Sequence, residues 1–325
     1  MMDYTQLFIH DEEFQTKMKG ELAAFRQEHY QDGTLQNAAG LSMHYTYLEH
    51  PYARGIIVIS HGFCEFLHKY DEAIYYFYQL GYSVYFPDHM GHGFSYRLVS
   101  EVDKVHAVSF SDYIEDFHLF VQQVVIRRAE GKPLFLFAHS MGGAIGAGFL
   151  ERYPGYFQAA VLSSPMLDMS TGKIPKWVVL LLADIAAVRG KSTDYVPTKH
   201  GFDDVYAFAD SSTLSEERYA YVFDWRRKVP EFQTYGATYG WTAAAIRGTR
   251  RIRREADRIE IPVLLAQAGQ DTMVMPKAQN RFIKRVQKAR FLQFPESKHE
   301  IFNSIQADRE RFYSEVFDFF KEYSQ

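Results

Sequence analysis

Three residues with the side chains needed for nucleophilic catalysis are spread along this sequence. Ser140 lies in the segment Ala138–Gly143, Asp271 ends the run AGQD, and His299 lies in the run ESKHE. A serine hydroxyl is a poor nucleophile at neutral pH until a general base removes its proton, and that base must be oriented by a third group. The three side-chain types therefore predict acyl transfer through a covalent serine intermediate.

The residues around Ser140 are typical of a tight turn between a strand and a helix. Small residues beside such a serine allow the neighbouring backbone to pass close to the turn. Gly142 and Gly143 supply them on one side, and on the other side Ala138 stands where the motif usually has glycine. Because alanine is still small, we expect the turn to form.

Asp271 and His299 each follow a predicted strand. Either residue alone would suggest only a turn or a surface loop. However, ligands of open parallel sheets bind at the carboxyl ends of the strands, and serine, acid and histidine occur here in the chain order of the α/β-hydrolase fold. We therefore predict a triad of Ser140, Asp271 and His299, with Asp168, which follows another strand, as the alternative acid.

An oxyanion that forms at the substrate carbonyl needs preorganised N–H donors. In this architecture one donor is the residue after the nucleophile, here Met141 at a helix N-terminus. The second is expected from an earlier loop, and the segment Ser60–Phe63 (SHGF) follows a strand. We therefore predict the backbone N–H of Phe63 as the second donor, a role that does not depend on its ring.

Short apolar runs alternate with longer helical patterns from about residue 55 onward. That alternation is typical of a parallel sheet with crossover helices on both faces. We predict an α/β-hydrolase fold with a mostly parallel central sheet flanked by helices, preceded by a polar N-terminal helix and two early strands. The predicted strands are 55–60, 82–87, 133–138, 159–163, 262–267 and 290–294, and the predicted helices are 68–80, 110–130, 142–153, 276–289 and 303–322.

The alternation breaks between about residues 166 and 245, where prolines, glycines and helical fragments occur without a strand-like run. Such a stretch is too long for a simple connection. We predict a mainly helical cap at 166–245, inserted after the sixth strand, on a core formed by 1–165 and 246–325. A separate helical domain is the alternative.

The chain of 325 residues is 47% hydrophobic and 23% charged, as is usual for folded globular proteins. Its net charge of −4 gives no global field that would attract nucleic acid, so we expect no nucleic-acid partner. A single cysteine, Cys64, excludes an internal disulfide framework and a cysteine-based metal site. The first residues are acidic where a signal peptide would be basic, so we expect a cytoplasmic protein.

Other candidate groups have weaker patterns. The run Asp88–Ser95 (DHMGHGFS) contains possible metal ligands, but no further ligands stand at recognisable spacing and a tight loop is favoured. The run Arg250–Arg254 could attract a phosphate group, whereas a solvated helix face balanced by Glu255 and Asp257 is the favoured interpretation. Cys64 is interpreted as a small packing residue.

The segment Lys176–Val188 is apolar on nearly every face. Its apolar window is about twelve residues long and is interrupted by Asp184, whereas a membrane-spanning helix needs roughly twenty. Burial against the core is the default expectation for such a helix. An exposed lid that contacts lipid is the alternative.

Several of these motifs together resemble the lysophospholipase and monoacylglycerol lipase family, and in particular its bacterial lysophospholipases, whose elbow also begins with alanine. The resemblance covers nearly the whole chain. Met90 stands where relatives often have arginine. The motifs are His61-Gly62 with Glu65, the Asp88–Ser95 loop, the Ala138–Gly143 elbow and the aromatic stretch Thr238–Trp241.

The resemblance implies a Ser140 nucleophile, an Asp271 orienting acid, a His299 base and a lid-like cap that shapes an acyl pocket, with substrate-binding residues in the cap that the sequence does not identify. It implies no metal and no organic cofactor. We therefore predict release of a fatty acid from a monoacyl lipid, with transient membrane-surface contact and no obligate protein partner. The alternatives are an esterase, amidase or thioesterase for small substrates, an acyltransferase, and a noncatalytic binding protein.

Overall fold

Eight strands form a twisted central sheet in the computed structural model, which describes residues 4–197 and 199–324. A two-stranded sheet lies outside it. The strands are β1 (Gln31–Gln36), β2 (Ser42–Leu48), β3 (Gly55–Ser60), β4 (Tyr82–Pro87), β5 (Lys104–Val105), β6 (Leu134–His139), β7 (Ala159–Ser163), β8 (Gly236–Ala237), β9 (Val263–Ala268) and β10 (Ala289–Phe294).

The order of strands across the large sheet is β1-β2-β4-β3-β6-β7-β9-β10. The pairs β1–β2 and β2–β4 are antiparallel, and the other five pairs are parallel. The carboxyl ends of β3, β6, β9 and β10 therefore open at one edge of the sheet, where the loops that follow them meet.

Helices cover both faces of this sheet, as the continuous apolar strands require. The helices are α1 (Asp11–Lys19), α2 (Glu21–His29), α3 (Asp71–Gln79), α4 (Phe110–Phe120), α5 (Ile126–Ala129), α6 (Ser140–Arg152), α7 (Lys176–Val188), α8 (Glu216–Lys228), α9 (Tyr239–Glu255), α10 (Pro276–Ile283) and α11 (Gln306–Glu322). In β3, Ile56 and Val58 pack into one core cluster with α4, α6 and α9, and Ile57 and Ile59 pack into a second cluster with α1, α2, α3 and α11.

The predicted α/β-hydrolase fold is confirmed, and each of the six predicted strands lies within one residue of an observed one. The helices differ more. The predicted single N-terminal helix is two, α1 and α2, which meet at Gly20. The predicted helix at 110–130 is interrupted by a π-helical turn at Val121–Val125, a local change of hydrogen-bond spacing that apolar periodicity does not reveal.

The insertion after β7, the sixth strand of the large sheet, is mainly helical and contains α7, α8 and the first turns of α9. It also contains a short strand, β8, which pairs in parallel with β5. A strand of two residues is too short to leave a pattern in the sequence. The predicted division into a core and a cap stays a prediction, and α9 spans its boundary at residue 245.

Helix α7 is exposed along most of its length, so the default expectation of burial is wrong. Only Ala183 and Ala186 are buried, whereas the side chains of Trp177 and Val188 are 68% and 91% exposed. The sequence shows that a helix is apolar, but not whether another element covers it. Within the described ranges, no helix is both long enough and apolar enough to cross a membrane.

A buried group of charges joins α8 of the insertion to the N-terminal segment and the core. The guanidinium of Arg218 donates to both carboxylate oxygens of Glu72 at 2.7 Å, to Asp11 at 2.6 Å and to the carbonyl oxygen of Ile9 at 3.2 Å. Arg309 of α11 pairs with Asp11 at 2.9 Å. Because these charges satisfy one another, the two arginines can be fully buried.

We expect Arg218→Met to lower the free energy of unfolding by about 3–5 kcal/mol, because it leaves the Glu72 carboxylate buried without its main partner. Urea denaturation measures the change. The matched control is Arg227→Met in the same helix, whose ion pair with Asp204 is half exposed and is worth less than about 1 kcal/mol. Equal effects of the two substitutions would contradict the proposed role of burial.

Glu151 of α6 is a buried carboxylic acid with a raised pKa. Its Oε1 atom has no hydrogen-bond partner in the part of the chain that is described. Burial, together with the negative charge of Glu255, raises the pKa of Glu151 from 4.5 to about 9. The folded state therefore holds a proton that the unfolded chain releases, and stability falls as the pH rises from about 4.5 to 9.

Glu151→Gln removes this titration. We therefore expect the substitution to be about 1–3 kcal/mol more stabilising, measured as the free energy of unfolding, at pH 8.5 than at pH 5. Denaturation at the two pH values gives the difference. Glu130→Gln, at an exposed position, serves as the control. A gain that does not change with pH would show that the carboxylic acid stays ionised in the folded protein.

Candidate active site

Ser140 lies at a strained turn between β6 and α6. Its φ is +51°, in the left-handed region that is costly for residues other than glycine, and its side chain is buried. At this turn α6 passes very close to β3, since a Cβ atom on Gly142 would lie 2.0 Å from the carbonyl oxygen of Ser60. The turn tolerates the methyl group of Ala138, because this group points toward Gly146 in the core.

The structure brings Ser140, His299 and Asp271 into one line of hydrogen bonds. Nε2 of His299 lies 2.8 Å from Oγ of Ser140, and Nδ1 of His299 lies 2.7 Å from Oδ2 of Asp271. With the Nδ1 proton donated to the carboxylate, Nε2 is free to accept the proton of the serine hydroxyl. This arrangement can activate a hydroxyl for attack on a carbonyl carbon.

Asp271 is held in place from both sides. Its Oδ1 atom accepts the backbone N–H groups of Met273 and Val274, and its Oδ2 atom faces His299. Burial alone would raise the pKa of Asp271, but these hydrogen bonds hold it below its ordinary value, so the carboxylate stays ionised. The alternative acid, Asp168, instead pairs with Lys176 at 2.6 Å.

The two predicted oxyanion donors belong to segments in direct contact. Met141 is buried in the first turn of α6, where a backbone N–H has no intrahelical acceptor. Phe63 lies in the loop after β3, and the Oγ atom of Ser60, at the start of that loop, donates to the carbonyl oxygen of Gly142 at 3.2 Å. The N–H group of Gly62 is held by the carboxylate of Glu65.

Three buried histidines brace the loop that contains Phe63. The ring of His61 lies 4.4 Å from that of His89 and 5.2 Å from that of His92, centroid to centroid. His92 Nε2 accepts the backbone N–H of Cys64 at 3.0 Å, and His61 Nε2 accepts that of His89 at 2.9 Å. Burial lowers the pKa of all three rings, so they are neutral braces.

The loop at Asp88–Ser95 therefore positions its neighbours, as its tight-turn interpretation predicts. Asp88 accepts the backbone N–H of Phe94 at 3.0 Å, and a Cβ atom on Gly93 would collide with the Asp88 carboxylate. Met90 is buried in the core.

Within residues 4–197 and 199–324, no cluster of three or more His, Cys, Asp or Glu side chains could hold a metal ion. Burial raises the pKa of the Cys64 thiol to about 12.

A second buried group of charges lies behind the loop with Phe63 and beside His299, and sequence reasoning missed it. The ammonium of Lys69 lies 2.8 Å from Glu65 and 2.6 Å from Glu300. Burial opposes all three charges, yet their attraction raises the pKa of Lys69 and lowers those of Glu65 and Glu300. The family motif includes Glu65, but the sequence carries no sign that Lys69 would join it to Glu300.

The insertion packs directly on this site. Arg226 of α8 donates to the carbonyl oxygen of Cys64 at 2.7 Å, and the rings of Phe66 and Phe232 stack at 4.4 Å. Trp241 at the start of α9 lies 4.2 Å from the ring of Phe63. The aromatic stretch recognised in the sequence therefore lines the loop that follows β3.

Comparisons with known proteins agree with the fold and the motifs. A family model described as Serine aminopeptidase, S33 matches residues 51–306. Lysophospholipase L2 of Escherichia coli (strain K12) is 29% identical over 277 residues, which cover 83% of this chain and 81% of that protein. Monoacylglycerol lipase of Mycolicibacterium smegmatis is 27% identical over 253 residues, 77% of this chain and 82% of that protein.

The crystal structure of a soluble variant of monoglyceride lipase from Saccharomyces cerevisiae has the same fold. Its TM-score is 0.72 at 16% sequence identity, over 90% of this chain and 95% of that chain. The resemblance to lysophospholipases and monoacylglycerol lipases is thus confirmed. Because the family model matches most of its length, this chain belongs to the serine aminopeptidase S33 family and is a serine hydrolase of the α/β-hydrolase fold.

Proposed function

We propose that this chain releases a fatty acid from a monoacyl lipid, either a lysophospholipid or a monoacylglycerol, through an acyl-enzyme on Ser140. The observation that carries the proposal is the line of hydrogen bonds from Asp271 through His299 to Ser140. The names of the relatives, a lysophospholipase and a monoacylglycerol lipase, support the substrate class.

In the proposed cycle His299 takes the hydroxyl proton of Ser140 as the oxygen attacks the ester carbonyl carbon. The N–H groups of Met141 and Phe63 stabilise the resulting oxyanion. When the tetrahedral intermediate collapses, the bond to the alcohol breaks and His299 gives its proton to the leaving oxygen. His299 then activates a water molecule, which cleaves the acyl-enzyme and releases the fatty acid. No step needs a metal or an organic cofactor.

The insertion at 166–245 serves in this proposal as the cap over an acyl pocket. Support comes from Trp241, which packs on Phe63, and from the exposed apolar side chains of α7. Such a helix suits transient contact with a lipid surface.

We also propose a cytoplasmic location, supported by the single cysteine of the chain, and cell fractionation tests it.

We expect Ser140→Ala to lower turnover by several orders of magnitude, on the order of a million-fold as in a well-studied protease triad, because the nucleophile and its base act as a unit. Fatty-acid release from monoacylglycerol and from lysophosphatidylcholine is measured side by side. Ser100→Ala, in an exposed loop, is the matched control and should retain full activity.

Activity of Ser140→Ala within ten-fold of the parent protein would contradict the assignment. Serine-dependent cleavage of short nitrophenyl esters or of an aminoacyl nitroanilide, without cleavage of either lipid, would favour a small-substrate esterase or an amidase. Transfer of the acyl group to an added alcohol in preference to water would favour an acyltransferase. Failure of a fluorophosphonate probe to label Ser140 would favour a binding protein.

We expect Glu65→Ala to lower kcat about 10- to 100-fold with little change in KM. The substitution removes the acceptor of the Gly62 N–H group, so the loop that carries the Phe63 donor is less well preorganised for the oxyanion. Lys69 keeps its pairing with Glu300, which limits the damage to stability. Steady-state kinetics, with thermal unfolding as a check on folding, measure the effect.

Glu65→Gln retains an oxygen that can accept the Gly62 N–H and should recover most of the lost kcat. If the glutamine variant is as slow as the alanine variant, the charge of Glu65 matters rather than its hydrogen bond. A rise in KM at constant kcat would instead place Glu65 in substrate binding.

A further inference from the structure

An arginine-rich surface runs along α9 and continues onto α10. Four arginines of α9 are spaced i, i+3, i+4 and i+7, so they lie on one face of the helix, and all four are exposed. Three basic residues of α10 and its C-terminal end show the spacing i, i+4 and i+7 and are also exposed. This basic face consists of Arg247, Arg250, Arg251, Arg254, Lys277, Arg281 and Lys284.

The basic face concentrates positive charge in a chain whose net charge is negative. Residues 247–288 contain 11 Lys and Arg against 4 Asp and Glu, whereas the rest of the chain contains 25 against 36. A surface of this kind produces a local positive potential that the net charge of −4 conceals.

The charges of the basic face are only partly neutralised. Arg251 pairs with Glu255, as we expected for a solvated helix face. In contrast, Arg250, Arg254 and Arg281 have no ion-pair partner among the described residues. Burial lowers the pKa of Arg253, and the repulsion of Arg281, Arg250 and Arg254 adds to this effect, which the charge of Asp168 opposes.

An exposed apolar surface adjoins the basic face. Asp184 of α7 pairs with Arg247 of α9 at 2.6 Å, which places the two helices side by side. Met273, half exposed in the loop after Asp271, accepts a hydrogen bond at its carbonyl oxygen from Ser170, just before α7. The apolar surface is formed by the exposed side chains of Ile174, Trp177, Leu181, Leu182, Ile185, Val188, Met273 and Met275.

We propose that the basic face binds the anionic headgroups of a phospholipid bilayer while the apolar side chains of α7 enter the interface beside it. Lysines and arginines within a Debye length of an anionic membrane are attracted to it, and an amphipathic helix gains further free energy by burying its apolar side chains. A nucleic acid would match the charge but would leave the adjoining apolar surface in water.

The apolar surface lies next to the candidate active site. The loop that carries Asp271 leads directly into α10, whose N-terminal residue is Pro276, and Met273 and Met275 of that loop belong to the apolar surface. The apolar surface therefore adjoins the edge of the sheet where Ser140, Asp271 and His299 meet, whereas the basic face extends along α9 and α10 toward the opposite edge, where Arg285 donates to the carbonyl oxygen of Arg254. The inference goes beyond the proposed reaction, because binding through these surfaces needs no catalytic step.

The test is sedimentation of the full chain with phosphatidylcholine vesicles, with and without about one third phosphatidylglycerol, at low and high salt. We expect binding to the anionic vesicles that weakens with salt and much weaker binding to the neutral ones. Arg250→Gln combined with Arg254→Gln should weaken anionic binding roughly 10- to 30-fold. Lys19→Gln combined with Arg127→Gln, which removes the same charge from exposed positions on α1 and α5, should leave it unchanged.

Equal binding to neutral and anionic vesicles, or equal weakening by the two double variants, would overturn the inference. Tighter binding of the parent protein to single-stranded RNA than to anionic vesicles, lost in the Arg250/Arg254 variant, would replace it with a nucleic-acid surface. Hydrolysis of a soluble nitrophenyl ester is measured in parallel and should not differ among these variants. The Ser140→Ala protein should still bind anionic vesicles, so failure of the proposed reaction and failure of the docking are separate results.

Discussion

The close approach of α6 to β3 is the constraint on which the candidate site depends. Gly142 has no room for a side chain beside the carbonyl oxygen of Ser60, and Ser140 is held at a positive φ. A strained residue persists only where its surroundings leave it no alternative. Here the carbonyl oxygen of Ser140 accepts the N–H of Met166, and the Oγ atom of Ser60 donates to the carbonyl of Gly142. The same contact brings the first turn of α6 against the loop that carries Phe63.

Buried charges then position the elements around that contact. A charge that loses its partner in the interior costs several kcal/mol, so a group of mutually paired charges disfavours other placements of the segments that carry them. The group around Arg218 joins the insertion to the N-terminal segment, and the group around Lys69 joins the loop after β3 to the segment that carries His299. Neutral histidines complete the scaffold with hydrogen bonds alone.

The surface of the insertion has the opposite character. Helix α7 leaves its apolar side chains in water although the protein has two well-filled cores on the faces of the sheet. Exposed apolar surface of this extent is unfavourable for an isolated soluble protein and usually marks a place of interaction. The net charge of the chain likewise does not reveal that positive charge is concentrated on the basic face beside α7. Both properties depend on which sides of α7, α9 and α10 remain uncovered.

The sequence by itself determined the strands of the large sheet, their alternation with helices and the identities of Ser140, Asp271 and His299 as candidates, because apolar periodicity, turn residues and chain order are local properties. The tertiary structure decided that Asp271 rather than Asp168 faces His299, that Lys69 links Glu65 to Glu300, and that α7 is exposed. These outcomes depend on which distant segments meet. A sequence pattern records which residues are apolar or charged, but burial and pairing are set only when the folded chain brings their partners within a few ångströms.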